Sequence, residues 1–319
     1  MYMNEFIHEQ IDSYHGKKYK KSDLKIKDDK IFMVEIKNNK LIYNKNFKVY
    51  PATPGRIPKI INILTLLVSK YSITDTLLLI YTADGYFWKK DIPVFNYAGP
   101  LGKQGLIFLN FDVLKFLLSD KIIDYDDVKL LCKKYEPADI KNDMYFKGSS
   151  ASLGGNKIRE HLSKEPLPIH VDLNTQGPRE EIYKIKNHKY ILDLPGVKPQ
   201  SLRLKYLYLM DRVIIRVSFY DSSMNETSYW RQYYDFIMND DDYIHLKYDV
   251  HYDKPLTKIE YIKIKKDILK KYYEFEQNPK LYKDTVKNMN KKRRYLTVNN
   301  AFKYLYHVIE EYTHNLLID

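Results

Sequence analysis

The segment KYILDLPGVKPQSLRLKYLYLMDRVIIRV, residues 189–217, constrains this chain more than any other. Tyr190–Leu194 and Val213–Val217 are short apolar runs with the look of buried strands. Between them a Pro/Gly loop leads to Leu202, Tyr206, Leu209 and Met210, spaced as on one face of a helix, with Ser201 in the N-cap position. Strand, helix and strand in that order require a parallel pair, and parallel sheets are built into α/β layers. In such sheets ligands sit beyond the carboxyl ends of the strands, where helix N-termini offer free N–H groups to phosphate. Arg203 falls in the expected first helical turn, where the macrodipole disfavours a cation. Its fork of donors could grip a diphosphate there; the alternative is an arginine that pairs with an acid or points to water.

A second strand-to-helix loop lies in DMYFKGSSASLGGNKIREHL, residues 143–162. Gly148, Ser149, Ser150 and Ser152 follow a short strand, and Lys157 and Arg159 follow the loop. Its glycine spacing fits neither the Walker loop nor the dinucleotide fingerprint, so it reads either as a phosphate cradle or as a flexible turn. Asp84 stands just past TDTLLLIYT (74–82), read as a buried strand by its continuous apolar run, and is followed by Gly85. A carboxylate there could face a ligand, and Asp-Gly is equally a tight-turn signal. The acidic run 240–242 reads as a solvated loop. The nine histidines show no HExxH or paired-ligand spacing, so no metal site is expected.

Elsewhere, residues 30–50 alternate as strands about an Asn-rich turn. Residues 59–70 read as a helix through Ile60, Ile63, Leu64 and Leu67, and 92–98 and 105–111 as strands. Helices are expected over 113–120 and 124–135, a linker over 162–181, and mostly helix from Thr257 onward. The tail 301–317 puts Phe302, Leu305, Val308, Ile309 and Tyr312 on one face, a helix with a surface to pack.

A length of 319 residues with 44% hydrophobic content predicts two cores. The expected division is 1–165, with tail helix 299–319 packing back on it, and 166–298. No apolar run is long enough to span a bilayer, no signal-peptide pattern opens the chain, and Cys132 is the lone cysteine, so a cytoplasmic setting is expected. The charge of +12 comes from 53 basic against 41 acidic residues spread along the chain. That pattern reads as a lysine-rich surface, and no nucleic-acid partner is expected from it.

The combination of YFKGSSAS and Arg159, then KYILDLPGVKPQSLRLKYLYLMDRVII, then YLTVNNAFKYLYHVIEEY resembles glycosyltransferase family 90, the capsule-associated and Rumi-type sugar transferases. The similarity runs over about 143–319 and more thinly over 76–110. It implies a GT-B fold, two Rossmann-like domains facing across a cleft, with the UDP-sugar donor on the second and a glycan or protein acceptor on the first. It implies that Lys147, Gly148, Ser149, Arg159, Gly196, Ser201 and Arg203 bind the donor and that Asp84 is the general base of an inverting transfer. No cofactor is required, and a divalent metal is optional. Lys147 stands where the family has arginine, and Gly85 where it has an aromatic residue.

Overall fold

The computed structural model describes residues 3–24, 26, 28–45, 47, 55–83, 87, 92–100, 105–110, 113–114, 116–118, 121–150, 155–173, 182–196, 203–226, 229–238 and 242–318. They form a mixed α/β structure with parallel strands, divided into two compact units: 1–115 with 231–236 and 297–319, and 116–230 with 237–296. No helix among the described residues is long and apolar enough to cross a membrane.

The first unit holds a mixed five-stranded sheet. Ile31–Lys37 pairs antiparallel with Lys40–Tyr43 through a tight turn in which Asn38 and Asn39 both take positive φ, 49° and 57°. Asparagine tolerates that conformation, and such turns match the twist of paired strands. Ile31–Lys37 also pairs antiparallel with the fully buried Thr76–Tyr81, from which the short strands Phe95–Asn96 and Leu106–Ile107 continue in parallel. The helix Arg56–Lys70 buries Ile57, Ile60, Ile63, Leu64 and Leu67, the face its spacing predicts. The tail helix Val298–Leu316 buries all five residues of its expected face. Its Tyr312 hydroxyl donates to the Leu77 carbonyl at 2.7 Å, and Tyr304 stacks on Phe236 and donates to the Ile107 carbonyl at 2.9 Å.

The second unit is built on five parallel strands: Lys141–Lys147 (β1), Ile169–Asp172 (β2), His188–Asp193 (β3), Val213–Tyr220 (β4) and Ile244–Asp249 (β5). Their order is β2-β1-β3-β4-β5, every pairing parallel. This is a doubly wound order that reverses direction between β1 and β3, and ligands of such sheets lie outside the carboxyl ends at that reversal. Both segments singled out in the sequence begin there: Gly148 follows β1, and Leu194, Pro195 and Gly196 follow β3. Before β1 runs the helix Tyr125–Lys134, closed by a reciprocal cap between Asp124 and Asp127. The long helices Lys258–Glu276 and Pro279–Arg293 follow β5.

Several expectations are corrected here. The division falls at 115/116, since β1 is hydrogen-bonded to β2 on one side and β3 on the other and belongs to the second unit with them. Residues 113–120, read as helix, contain the strand Phe116–Leu118, paired antiparallel with Lys121–Ile123; periodicity cannot separate strand from helix in so short an apolar run. The supposed linker 162–181 supplies β2. The helix after β3 is only Leu204–Leu207, with Arg203 at its N-cap, and Ser201 lies outside the described residues. Four residues build almost no macrodipole, so the position of Arg203 needs another explanation.

Candidate functional site

At the carboxyl ends of β1 and β3 the arginines find that explanation in their immediate surroundings. The guanidinium of Arg203 lies over the Phe146 ring, 3.7 Å from its centre, and donates through Nη1 to the Lys147 carbonyl. Its Nε is 3.6 Å from Asp193 Oδ1, at the end of β3. Arg159 also approaches Phe146, at 4.8 Å, and donates to the carbonyls of Ser149 at 2.9 Å and Leu194 at 3.0 Å. It thereby ties the β1 loop to the end of β3. Asn156, buried, makes a parallel link, its amide donating to the Gly196 carbonyl at 2.9 Å while its oxygen accepts from Ile158 N–H at 3.1 Å.

Gly148 is required by this packing. A methyl group on its Cα would stand 3.1 Å from the Phe146 ring and 3.2 Å from Arg203 Nη1, tighter than ordinary contact. Lys147, by contrast, is half-buried and 3.2 Å from Asp172, its register partner on β2, so its charge is already met within the protein. Ser149 is exposed, with its carbonyl held by Arg159.

The electrostatics are unbalanced toward positive. Asp193 is almost wholly buried and faces two arginines, Arg203 and, in register on β4, Arg216 at 3.9 Å. Arg216 is buried and donates to the Tyr243 hydroxyl at 3.0 Å. Arg159 makes a third cation in the cluster. Burial first and the neighbouring Arg203 second pull its pKa down to about 9, with Asp193 opposing. Burial also lowers the Arg203 pKa, against the pull of Asp193. Arg159 Nε and Arg203 Nη2 are buried and have no hydrogen-bond partner among the described residues. Buried donors left without an acceptor cost on the order of 1–3 kcal/mol each, more when charged. An anion placed here would supply the acceptors and the missing negative charge.

Of the residues proposed from sequence, Lys147, Gly148, Ser149, Arg159, Gly196 and Arg203 are therefore brought together around the β1/β3 reversal. Asp84 lies outside the described residues, as does Ser201. Sequence reasoning missed Phe146, Asn156, Asp193 and Arg216. A signal for two of them was present: Asp193 and Arg216 each interrupt an apolar strand, and a charge inside such a run calls for a partner on the neighbouring strand. No protein-family model matches the chain, and no curated protein matches it.

Proposed function

We propose that the chain is an inverting glycosyltransferase of the GT-B type, similar to glycosyltransferase family 90. It moves a hexose or pentose, glucose or xylose in preference, from a UDP-sugar to a hydroxyl of a glycan or protein acceptor. The observation that carries this reading is the pair of arginines on Phe146, each with a buried N–H that has no partner among the described residues, at the reversal point of a doubly wound sheet. Three guanidinium groups around one carboxylate favour an anion of more than one charge, as a diphosphate is.

In the proposed reaction Asp84 takes the proton of the acceptor hydroxyl as its oxygen attacks the anomeric carbon. The bond from that carbon to the diphosphate oxygen breaks with inversion, and the electron pair leaves with UDP. Arg159 and Arg203 meet the charge that develops on the leaving group, which is where fixed donors contribute most. Lys147 has a secondary part because Asp172 competes for it. A divalent ion at the diphosphate is optional in this scheme.

Thermal shift with UDP and with UDP-glucose, UDP-xylose, UDP-galactose and UDP-GlcNAc tests the reading. UDP and at least one UDP-sugar should raise the melting temperature in the presence of EDTA. Arg203→Ala should weaken UDP binding roughly tenfold to a hundredfold, as loss of charged hydrogen bonds does, while the exposed Lys164→Ala should not. Arg203→Lys, which keeps the charge but not the fork, should fall between them. Absence of any shift, or equal binding by Arg203→Ala and wild type, would overturn the donor site.

A further inference from the structure

The amino-terminal end of the same strands carries a second cluster that the proposed transfer does not use. Asp143 on β1, His170 on β2 and His188 at the start of β3 come together at the amino-terminal end of three adjacent strands. Asp143 Oδ1 is 2.6 Å from His188 Nδ1, and Oδ2 is 3.3 Å from His170 Nδ1. One ligand atom from each residue lies within 4.8 Å of the other two. Asp143 and His188 are buried, whereas the His170 side chain is 44% exposed.

The local backbone and packing hold this arrangement. The register of β1 against β3 shifts between Lys141 and Met144, the stretch that holds Asp143. The Tyr145 ring stacks on His188 at 3.8 Å and 4°, and meets His170 edge-on at 5.1 Å. Both imidazoles are thus oriented by the same aromatic ring.

We propose that Asp143, His170 and His188 form a binding site for one divalent transition-metal ion of the zinc class, clipping the edge strand β2 to β1 and β3. The donor set is the argument. Two imidazole nitrogens and one carboxylate oxygen suit zinc and its neighbours, whereas magnesium and calcium prefer all-oxygen shells. Ligands about 2.0–2.1 Å from a tetrahedral ion stand roughly 3.3 Å apart, so separations of 2.6 Å, 3.3 Å and up to 4.8 Å need adjustments of at most about 1.5 Å. Each histidine would bind as a neutral imidazole: a proton on the coordinating nitrogen moves to the other ring nitrogen, and an imidazole that starts protonated releases one proton to solvent, so no other reactant is needed. The exposed side of His170 provides the way in and leaves a fourth position for water. Asp143 and Lys147 are four residues apart on β1, roughly 13 Å along a strand, so the ion acts on the sheet and does not reach the arginines.

The experiment uses untagged full-length protein stripped with EDTA and titrated with Zn2+ and with Co2+. Expected are one equivalent bound at micromolar or lower concentration, a rise in melting temperature of several degrees, and visible cobalt bands of a four- or five-coordinate site. His170→Ala changes a half-exposed residue and should keep the metal-free circular dichroism and melting temperature. It should bind Zn2+ at least tenfold more weakly, as should Asp143→Asn, while His314→Ala on the tail helix should bind as wild type does. Wild type that takes up no stoichiometric Zn2+, or His170→Ala that binds it as tightly as wild type, would overturn the site. Any effect of Zn2+ on UDP affinity should be the same in wild type and in His170→Ala; an effect that His170→Ala abolishes would tie this ion to the diphosphate and likewise overturn the assignment.

Discussion

Gly148 shows how a single residue can decide whether a site is assembled. Its missing side chain is the space in which Arg203 lies against Phe146, and a Cβ there would press on both the ring and Nη1. Gly148→Ala should therefore shift Arg203 by a few tenths of an ångström or more. The donors of Arg203 can act on an anion only if they are held in place, so UDP affinity should fall severalfold with a stability loss of about 1–3 kcal/mol. Calorimetric titration with UDP beside a denaturation curve checks this, and unchanged affinity would mean that the packing of Arg203 is irrelevant to binding. The residues that make up this site were only half legible in the sequence. Gly148 and Arg203 stood out because a glycine-rich loop and an arginine after strand ends suit a phosphate, although each also has a structural reading. Phe146 did not, because an aromatic residue in a buried strand reads as core. The pairing of Lys147 with Asp172 was hidden because Asp172 sits on a strand that the sequence pattern does not reveal. The Asp143, His170 and His188 cluster was hidden for the same reason, its members joined by strand order and a register shift that no local spacing records.

At the scale of elements, the legible pieces are those whose length lets periodicity accumulate. The helices Arg56–Lys70 and Val298–Leu316 bury the faces their spacing defines. The strand Ile169–Asp172 spans four residues soon after two prolines and carries two apolar positions, too little pattern to separate it from a linker. Leu204–Leu207 shows the converse error: apolar residues recur at helical spacing over 202–210, yet helix forms over only four of them. All four are buried, Lys205 included, so a stretch that reads as amphipathic has no solvent face. How the short helix Ile158–Leu162 is fastened leads to a pH prediction. Just beyond it, Glu165 accepts from the Tyr261 hydroxyl and from Lys265 at 3.2 Å, both on the long helix Lys258–Glu276. The Tyr261 hydrogen bond outweighs burial and, with Lys265, holds the Glu165 carboxyl below its ordinary 4.5. A carboxylate with a lowered folded pKa contributes stability in full above its unfolded value, and that stability is lost as pH falls through the folded value. Unfolding free energy should therefore drop below about pH 4.5, by on the order of 1 kcal/mol from this group. Glu165→Gln should be less stable at neutral pH by that amount and show a correspondingly shallower acid loss. Parallel pH profiles for the two proteins would remove Glu165 from the account.

Across the whole molecule the chain leaves its first unit at 115, returns for 231–236, and ends there with the tail helix. The tail was legible because a helix with so apolar a face must pack on something, and the Tyr19–Lys20 and Leu317–Ile318 pairing adds a parallel contact between the two ends of the chain. The boundary was not legible, because no change of composition marks residue 115 and only the pairing of β1 with both its neighbours assigns it to the second unit. This division gives the proposed transfer two separable parts. Arg159, Arg203 and Arg216 all fall in the second unit, whereas position 84, outside the described residues, falls within the range 1–115. Asp84→Asn should therefore abolish transfer and leave UDP binding nearly intact. Asparagine matches the carboxylate in size but cannot take the acceptor's proton, so the loss belongs in turnover, about a hundredfold or more for a positioned base. If Asp84 with Gly85 serves only as a tight turn, asparagine replaces it without harm, since Asn-Gly suits such turns equally well. The two accounts differ in one measurement, single-turnover transfer from the best UDP-sugar at saturating donor. A rate at the wild-type level in the Asp84→Asn protein would end the assignment of Asp84 as base and move it to Asp91 or another carboxylate of the first unit. A collapse of turnover with UDP affinity preserved would leave the turn account without an explanation.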